Sequence, residues 1–512
     1  NFDFVTFTLQ YELSYTNILN ILDLANIPLL REERELDDPF ILVGGPCAYN
    51  VEPLADFVDI VILGEGEEVN LEVISAYKEW KKNKTTREDF LLKVAQIEGV
   101  YIPSFYDVTY NEDGTVKEVK PNREGVPDKV KKRIIKDVGT VDYPDKLIVP
   151  YIDTVHNRVV LELFRGCTRG CRFCQAGMIY RPIREKSVDR LKEIVDKLVK
   201  NTGYDEISLS SLSTSDYSQL RELTDFLVDE YTPQNVGISL PSLRLDNFSM
   251  EIAEKIQQVR KSGLTFAPEA GTQRLRDVIN KGVSEEDLKN ATRKAFEMGW
   301  NSVKLYFMIG LPTETYDDLD GISNLAYDVI DTYRDVNGGK LRRSFSVTVS
   351  TSTFVPKPFT PFQWHGQDLT EEVIEKQRHL VKKLKNKDIK YNYHDSKTSL
   401  MEAVVARGDR RIGKVILDAF KAGAKFDGWS EYFNLDTWKE AMEKNGLDIA
   451  FYANRERNYE EVFPWDHIDV GVTKKFLIRE NEKAREDKVS PDCRHQCHGC
   501  GINANDITRG LC

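Results

Sequence analysis

The stretch that decides the fold is Arg165-Gly166-Cys167-Thr168-Arg169-Gly170-Cys171-Arg172-Phe173-Cys174, in which three cysteines have the spacing C-x3-C-x2-C. It follows an apolar run at residues 159–164 that has the length and composition of a strand. Three thiolates on one loop can ligate three irons of a 4Fe–4S cubane and leave the fourth iron open. The sequence therefore predicts a reactive iron–sulfur centre at Cys167, Cys171 and Cys174.

The alternatives for these three cysteines are a zinc site and buried structural thiols. A structural zinc site usually takes four protein ligands, and no fourth Cys or His is near this stretch in the sequence. Gly166 and Gly170 would let the loop wrap closely around a cluster. Arg165, Arg169 and Arg172 would stabilise the thiolates and balance the negative charge of the cluster. These features favour iron–sulfur over zinc.

Residues 156–365 alternate strand-like and helix-like segments. The order predicts an α/β fold, a partial (β/α)6 barrel of the TIM type. In such barrels the chemistry lies at the C-terminal ends of the strands, and the three cysteines come at the end of the first one. The predicted strands are 159–164, 207–212, 236–240, 264–267, 303–309 and 345–354, and the predicted helices include 188–199, 220–230 and 285–298.

The cysteine spacing, the aromatic Phe173 and the strand order resemble the radical SAM superfamily. The resemblance covers residues 156–365 closely and extends more loosely from Phe4 to Cys512. It implies that the open iron binds the amino and carboxylate groups of S-adenosylmethionine. One electron then splits the C5′–S bond, and the 5′-deoxyadenosyl radical abstracts a hydrogen atom from a substrate.

The resemblance also assigns residues to S-adenosylmethionine at other strand ends. The fourth strand ends in an acidic residue, and relatives place such a residue beside the cofactor. The fifth strand is followed by a Gly-Leu-Pro turn, whose counterpart in relatives packs on the adenine. The sixth strand ends as in methylthiotransferase-like members. The second ends in serines where relatives contact the methionine amino group, but the Gly-Gly-Glu-type motif expected there is absent. The predicted cofactor-binding residues are Phe173, Ser210, Ser211, Glu269, Gly310, Leu311 and Val355.

Residues 1–75 have the pattern of a Rossmann-like domain. One apolar run ends in Gly44-Gly45-Pro46 and a later one in Gly64-Glu65-Gly66-Glu67-Glu68. This resembles the cobalamin-binding domain that precedes many radical SAM cores, without its histidine loop. Three interpretations stay open. The domain binds cobalamin, it keeps the fold without the cofactor, or its Gly-Glu-Gly-Glu loop is an ordinary domain junction. We expect the first part of this domain to lie upstream of residue 1.

A second group of cysteines, Cys493, Cys497, Cys500 and Cys512, has the spacing C-x3-C-x2-C-x11-C. Four thiolates would close a second 4Fe–4S cluster, which would transfer electrons or order the tail. A four-cysteine zinc site is the alternative. If Cys512 is not a ligand, the other three would leave an open iron.

Two further segments complete the predicted organisation. Residues 76–155 form a connecting region with two helices and a hairpin, and residues 366–512 form a small, mostly helical domain. Within the latter, a basic run at residues 407–414 is interpreted as a solvated face, and Pro464-Trp465-Asp466-His467 as a packing corner.

Composition limits the partners and the compartment. The formal net charge of −12 argues against sequence-blind binding to nucleic acid, although a nucleic-acid substrate stays open. No apolar run approaches the roughly 20 residues of a membrane helix, and no secretory signal is visible. Clustered rather than scattered cysteines predict metal in a reducing, low-oxygen cytoplasm.

The sequence leaves three functions in competition. One is methyl transfer to an unactivated carbon with cobalamin. Another is cobalamin-free sulfur insertion or methylthiolation supported by the second cluster, for example on RNA or a ribosomal component. The third is a non-enzymatic iron–sulfur electron carrier. The two enzymes would need S-adenosylmethionine and a reducing partner such as flavodoxin or ferredoxin.

Overall fold

The computed structural model describes residues 2–83, 85–152, 154–240, 255 and 263–504. It begins with a sheet of three parallel strands and one antiparallel strand. The strands are β1 (Phe4–Thr8), β2 (Phe40–Gly44), β3 (Ile60–Ile62) and β4 (Val100–Tyr101), and the helices beside them are α1 (Tyr15–Leu24), α2 (Gly66–Asn83) and α3 (Arg87–Val94).

The first sheet continues past residue 75, where the sequence placed a domain boundary. β4 pairs with β3, and aromatic side chains of α2 and α3 pack on the sheet. Phe40 on β2 lies 5.8 Å from Trp80 and 4.7 Å from Phe90, measured between ring centroids. The apolar face of the sheet is therefore covered by residues from the predicted connecting region.

The predicted hairpin is present as β5 (Tyr106–Tyr110) and β6 (Val116–Pro121), which pair antiparallel. Its turn closes with a hydrogen bond from the N–H of Asn111 to the carbonyl of Thr115 at 2.9 Å. The short strand β7 (Val130–Lys131) follows. Asn-Glu-Asp-Gly thus acts as the turn that its composition indicates.

The barrel consists of two parallel sheets, and all six strands expected in it are confirmed. A further strand, β16, pairs in parallel with β15 and extends the barrel past residue 365. The strands of the two sheets are β8 (Val159–Glu162), β11 (Glu206–Ser210), β12 (Gly237–Ser239), β13 (Leu264–Glu269), β14 (Ser302–Ile309), β15 (Ser346–Thr353) and β16 (Ile389–Tyr393). Beside them, β9 (Phe164–Arg165) and β10 (Arg184–Glu185) form a separate antiparallel pair.

The barrel helices pack apolar faces against these strands. α8 begins at a capping box in which Ser284 and Asp287 bond each other's backbone, as their spacing predicts. The helices are α4 (Ala176–Ile179), α5 (Val188–Thr202), α6 (Leu220–Tyr231), α7 (Gln273–Val278), α8 (Glu285–Glu297) and α9 (Tyr316–Val336).

The C-terminal part is mostly helical, and its helices share one hydrophobic core with the first sheet. Its short strand β17 (Ile468–Asp469) pairs in parallel with β7. No helix in the described ranges is both long and apolar enough to span a bilayer. The helices are α10 (Thr370–Lys383), α11 (Ser396–Ala406), α12 (Ile412–Lys421), α13 (Leu435–Lys444), α14 (Ile449–Ala453) and α15 (Lys474–Arg485).

The basic run at residues 407–414 is not a solvated face, so that interpretation was wrong. Arg407 is 1% exposed and donates to the carbonyl of Ala453 at 2.6 Å. Arg410 pairs with the buried Glu52 of the first sheet at 2.9 Å. A guanidinium has five donors and satisfies buried acceptors well. Arg407 therefore holds two C-terminal helices together, and Arg410 joins the C-terminal part to the N-terminal part.

His467 lies in a packing corner, as expected. It is 4% exposed, and its ring lies 4.8 Å from Tyr101 and 5.6 Å from Tyr106, between centroids. Burial is the main cause that lowers the pKa of His467 to about 4, against the opposing effect of Glu52. The imidazole is therefore neutral at physiological pH.

Candidate active site

The first cysteine loop begins where β9 ends, at a glycine that no other residue could replace. Gly166 has φ of 86°, and a Cβ there would lie 2.5 Å from the carbonyl oxygen of Pro182 and 2.8 Å from that of Tyr180. The loop therefore leaves the strand at a residue with a left-handed backbone conformation that packs directly against the backbone of residues 180 and 182, and only glycine fits there. This turn places Cys167, Cys171 and Cys174 at the C-terminal end of the first barrel strand.

The three thiols of this loop lie close enough to influence one another. Burial and the neighbouring Cys171, with a smaller effect of Cys167, raise the pKa of Cys174 to about 12. The backbone N–H of Gly177 donates to the sulfur of Cys174 at 3.4 Å. A neutral thiol with an N–H donor already aimed at its sulfur suits iron binding, which displaces the proton and leaves a stabilised thiolate. These residues fit a 4Fe–4S cluster.

The donor arrangement differs from that of a single-ion site. Across the described ranges, no three His, Cys, Asp or Glu side chains converge in a way that could hold one metal ion. In a cubane each thiolate binds its own iron, so the ligands surround the cluster rather than meeting at a point.

Two arginines of the loop form ion pairs that hold it to the barrel and to helix α2 of the N-terminal part. Arg165 bonds Glu162 at 2.9 Å and Glu67 at 2.5 Å. Arg169 bonds Asp216 at 2.5 Å. Both guanidinium groups are thus engaged by carboxylates, and their first role is to anchor the loop.

Arg172 is fully buried and ties the loop to the C-terminal part of the chain. It lies 3.3 Å from Glu480 and donates to the carbonyls of Val278 at 2.8 Å and Lys488 at 2.6 Å. Burial is the main cause that lowers the pKa of Arg172, while Glu480 opposes it. A buried cation with this set of acceptors fixes the backbone between Cys171 and Cys174.

Apolar residues bring the ends of three strands together beside the loop. Phe173 packs in one cluster with Ala270, which follows Glu269, and with Leu311, which follows Gly310. The predicted residues at the ends of the first, fourth and fifth strands therefore lie in one place. An apolar wall there would keep water from the reacting centre.

Glu269 sits at a strained point that a β-bulge creates at the end of β13. Its φ is 68°, and the register with β14 shifts between Phe266 and Glu269. Its carboxylate pairs with Lys281 at 3.1 Å, and Lys281 also acts electrostatically on Cys174. A non-glycine residue in this conformation typically marks a functional position.

The turn after β14 depends on a residue that the sequence analysis did not single out. The N–H of Gly310, whose φ is 77°, donates to Glu314 at 2.8 Å. Glu314 also binds Lys376 at 2.7 Å, and burial raises the pKa of its carboxyl group despite that lysine. The signal in the sequence was the Gly-x-x-x-Glu spacing directly after an apolar strand.

The other predicted cofactor residues lie in different surroundings. The carbonyl of Ser210 accepts from the N–H of Leu163 at 3.0 Å, and the hydroxyl of Ser211 shares a hydrogen bond with that of Thr214 at 3.1 Å. Val355 packs against the core shared by the N- and C-terminal parts, not in the cluster of Phe173. Cofactor contacts of these three residues stay predictions.

Comparisons with known proteins agree with this geometry. Two family profiles match, one described as radical SAM proteins, N-terminal, over residues 1–103, and one as radical SAM superfamily over residues 161–326. An uncharacterised protein of Methanocaldococcus jannaschii is 32% identical over 419 residues, which cover 81% of this chain and 80% of that protein. The chain belongs to the radical SAM superfamily.

Two other similar proteins have described activities. A putative methylthiotransferase of Methanocaldococcus jannaschii is 26% identical over 270 residues, 48% of this chain and 58% of that protein. The structure of the radical SAM methyltransferase TsrM from Kitasatospora setae, with cobalamin and a 4Fe–4S cluster bound, aligns with a TM-score of 0.46 and 12% identity. That alignment covers 71% of this chain and 66% of TsrM.

Membership of the radical SAM superfamily makes this chain an enzyme that uses a 4Fe–4S cluster and S-adenosylmethionine. The reading as a non-enzymatic electron carrier is therefore set aside. The fold is the expected one. It is an α/β chain in which a Rossmann-like sheet comes first and a partial TIM-type barrel follows in the sequence.

The glycine motifs of the N-terminal sheet are required by contacts within the chain. A Cβ at Gly45 would lie 2.8 Å from the carbonyl oxygen of Leu9, and one at Gly64 would lie 2.1 Å from that of Arg133. Glu65 accepts from Arg184 at 2.7 Å. These contacts support the ordinary domain junction, while cobalamin in this radical SAM protein stays a prediction.

A polar cluster joins the N-terminal sheet to the residues after β15, and the sequence did not reveal it. Lys357 lies 2.7 Å from Glu12 and 2.9 Å from Glu402, and Tyr11 donates to Glu402 at 3.0 Å. Burial opposes the charge on Lys357, but Glu12 and Glu402 raise its pKa. Burial also raises the pKa of Cys47, which lies in a short helical turn.

The second cysteine group lies next to the first. The N–H of Cys493 donates to the carbonyl of Thr168, between Cys167 and Cys171, at 3.1 Å. Cys497 is exposed and Cys500 is buried. Cys512, the predicted fourth ligand, is outside the described residues.

Proposed function

We propose that this enzyme cleaves S-adenosylmethionine reductively at the cluster of Cys167, Cys171 and Cys174, and then functionalises an unactivated C–H bond of its substrate. The observation that carries the proposal is the meeting of three strand ends, which places the thiol loop beside the Glu269–Lys281 pair and the Gly310 turn. Thiols that can hold an iron centre, a carboxylate–ammonium pair and a fixed glycine turn are groups that suit a charged nucleoside cofactor.

The residues of this chain prepare the site for the radical. When bound, the cluster supplies the electron that breaks the C5′–S bond. Phe173 and Leu311 form an apolar wall that protects the radical from water. Glu269 and Lys281 offer charges of both signs to the cofactor, and Glu314 holds the N–H of Gly310 in a fixed direction. The protein thus orients the cofactor, and the cofactor carries the chemistry.

Two reaction types fall within the proposal. Methyl transfer would use cobalamin in the N-terminal domain, whereas sulfur insertion or methylthiolation, for example on RNA or a ribosomal component, would not. The contacts of Gly45, Gly64 and Glu65 within the chain support a domain without cobalamin. The similarity to a putative methylthiotransferase supports the same choice.

The first test is anaerobic reconstitution with iron and sulfide, followed by incubation with S-adenosylmethionine and dithionite. We expect 5′-deoxyadenosine and methionine, measured by mass spectrometry. Replacing Cys167, Cys171 and Cys174 by alanine should abolish both products. Cys47→Ala is the matched control, because it removes a thiol outside both cysteine groups. Cleavage that survives in the triple variant would contradict the proposal.

A second test separates the two reaction types. The reconstituted protein is incubated with hydroxocobalamin, desalted, and examined by optical absorption. A corrin band that stays with the protein would indicate methyl transfer. Its loss on desalting would support sulfur insertion.

A further inference from the structure

Three large aromatic side chains lie exposed beside one another in the loop between α12 and α13. Phe426, Trp429 and Tyr432 are 39%, 56% and 61% exposed. The ring of Phe426 lies 6.4 Å from that of Trp429 and 5.7 Å from that of Tyr432, between centroids. Together these three residues form one patch, the aromatic platform. Exposed apolar side chains that gather in a patch, rather than lying scattered, typically mark a binding surface.

The loop that carries the platform is fixed to the protein between its exposed rings. Asp427 is fully buried, and its carboxylate accepts from the hydroxyl of Thr16 at 2.6 Å and from the indole N–H of Trp438 at 3.2 Å. The N–H of Phe426 donates to the side-chain oxygen of Asn17 at 2.7 Å. The platform therefore has a defined position on α1 and α13, and its exposure does not come from a loose loop.

Phe426, the central ring of the platform, is held in a strained backbone conformation. Its φ is 59°, in the left-handed region that bulky residues rarely adopt. Strain of this kind persists where surrounding contacts enforce it, and it is found at ligand-binding positions. The ring of Phe426 does not belong to the hydrophobic core beneath it, so its packing inside the chain does not account for the strain.

The platform adjoins the polar cluster at the end of β15. Gly428 packs on the ring of Tyr11, where a Cβ would lie 3.5 Å from a ring carbon. Tyr11 donates to Glu402 at 3.0 Å, and Glu402 lies 2.9 Å from Lys357, which is four residues past β15. In TIM-type barrels the chemistry lies at the C-terminal ends of the strands. A molecule held on the platform would therefore lie on the reactive side of the barrel.

Charge and shape together indicate what the platform binds. Lys421 and Lys425 lie exposed at the start of the loop, and no described carboxylate forms an ion pair with either. Ring faces that stack on bases, with cations that meet phosphates, are the features of single-stranded nucleic-acid sites. The net charge of −12 and the exposed Glu431 limit attraction for the phosphate backbone, so stacking would supply most of the affinity. Only unpaired nucleotides offer free base faces.

We propose that the aromatic platform binds unpaired nucleotides of an RNA substrate, whose bases stack on Phe426, Trp429 and Tyr432 while Lys421 and Lys425 meet backbone phosphates. The inference rests on the proposed function and names its substrate class. No bond forms or breaks at the platform. It selects single-stranded RNA and positions it beside the barrel, where the radical reaction takes place.

Tryptophan fluorescence reports directly on the platform. Trp429 is exposed, whereas the other five tryptophans of the chain are buried. Acrylamide should therefore quench mainly Trp429 in the reconstituted protein, and an unpaired RNA of about 12 nucleotides and mixed sequence should protect it, because stacking tolerates any base. Protection by phosphatidylglycerol vesicles but not by this RNA would assign the platform to a membrane surface and overturn the proposal.

The affinity for the same RNA, labelled with fluorescein, is measured by fluorescence anisotropy. Trp429→Ala and Tyr432→Ala should each raise the dissociation constant at least about fivefold, as the loss of one stacked base implies. Trp429→Phe keeps a ring and should stay within about twofold of the wild type. Tyr151→Ala removes an exposed ring outside the platform and is the matched control. Equal affinities for Trp429→Ala and the wild type would overturn the proposal.

Salt distinguishes stacking from general binding to phosphate. With two lysines as the phosphate contacts, the dissociation constant should rise about sevenfold between about 50 and 200 mM salt. Lys425→Ala removes one contact and should lower that rise to about threefold. A rise of about a thousandfold or more would indicate an extended phosphate-binding surface and would contradict the role of the rings.

RNA binding and cofactor cleavage are measured separately, so their failures can be told apart. The binding measurements need neither S-adenosylmethionine nor a reductant. A wild type that forms 5′-deoxyadenosine but does not bind RNA would overturn the platform alone. A wild type that binds RNA on the platform but forms no 5′-deoxyadenosine would contradict the proposed function alone.

Discussion

The carboxylate of Glu314 accepts the backbone N–H of Gly310 at 2.8 Å and at the same time binds Lys376 at 2.7 Å. The side chain of Glu314 is 1% exposed, so nothing but protein surrounds it. Glu314 therefore holds the turn at Gly310, four residues before it in the chain. The family resemblance places this turn against the adenine.

Replacing Glu314 by alanine should weaken both the fold and cofactor binding. The N–H of Gly310 would lose its acceptor, which we expect to cost about 1–3 kcal/mol of stability. The dissociation constant of S-adenosylmethionine, measured by equilibrium dialysis, should rise. Glu314→Gln keeps an acceptor and should lose less, and the exposed Glu371→Ala is the control. Unchanged binding in Glu314→Ala would show that the turn does not depend on this contact.

Lys281 connects Glu269 to the thiol loop, so its charge should affect two properties. We expect Lys281→Met to raise the dissociation constant of S-adenosylmethionine about fivefold to tenfold, as the loss of about 1 kcal/mol implies. Removing a cation beside Cys174 should also make the cluster harder to reduce, seen as a more negative midpoint in a redox titration. Lys289→Met, at an exposed position on α8, should change neither quantity.

Arg172 and Glu480 form a fully buried pair between the cysteine loop and α15. Arg172→Ala removes one partner of the buried Glu480 and the donor to the buried carbonyls of Val278 and Lys488, and we expect it to lower the free energy of unfolding by about 3–5 kcal/mol. Limited proteolysis should also cut residues 488–504 faster. The control is Arg190→Ala, which breaks a pair on the surface of α5 and should cost at most about 1 kcal/mol. Equal losses in the two variants would contradict the anchoring role of Arg172.

The sequence predicted what depends on local pattern. The six barrel strands were found because a strand shows its apolar run within a few residues. The strand β16 was missed although Ile389–Tyr393 alternates β-branched or aromatic residues with polar ones. Its neighbours are helical, and that context obscured the signal.

Long-range contacts could not be predicted from the chain. Arg172 and Glu480 are 308 positions apart, and Thr168 and Asp492 are 324 apart. Arg407 and Arg410 were misjudged for the same reason, since the carbonyls and carboxylate that bury them come from distant elements. Residue type shows what a side chain can bind, but only the fold shows which partner it meets.

His467 predicts a pH dependence of stability. Its native pKa of about 4 is below the ordinary value of about 6.5, so the unfolded chain takes up the proton first. The stability from the neutral imidazole is complete above about pH 6.5 and is lost as the pH falls toward 4, by up to about 3 kcal/mol.

The measurement is urea unfolding at a series of pH values. His467→Gln should show a weaker decline between pH 6.5 and 4 than the wild type, and His156→Gln, at an exposed position, is the control. A variant at His467 that loses stability in parallel with the wild type would refute this assignment.

Thr168 of the cysteine loop is buried by its hydrogen bonds to Asp492 and Cys493, and this cover has a consequence for biosynthesis. The ribosome releases Thr168 well before Asp492, which is 324 positions later. At about 5–20 residues per second the delay is roughly 15–65 s. During that interval the thiols of the loop are exposed on an unfinished chain, without the residues that shield them. Iron delivery is therefore expected to follow the completion of translation rather than accompany it.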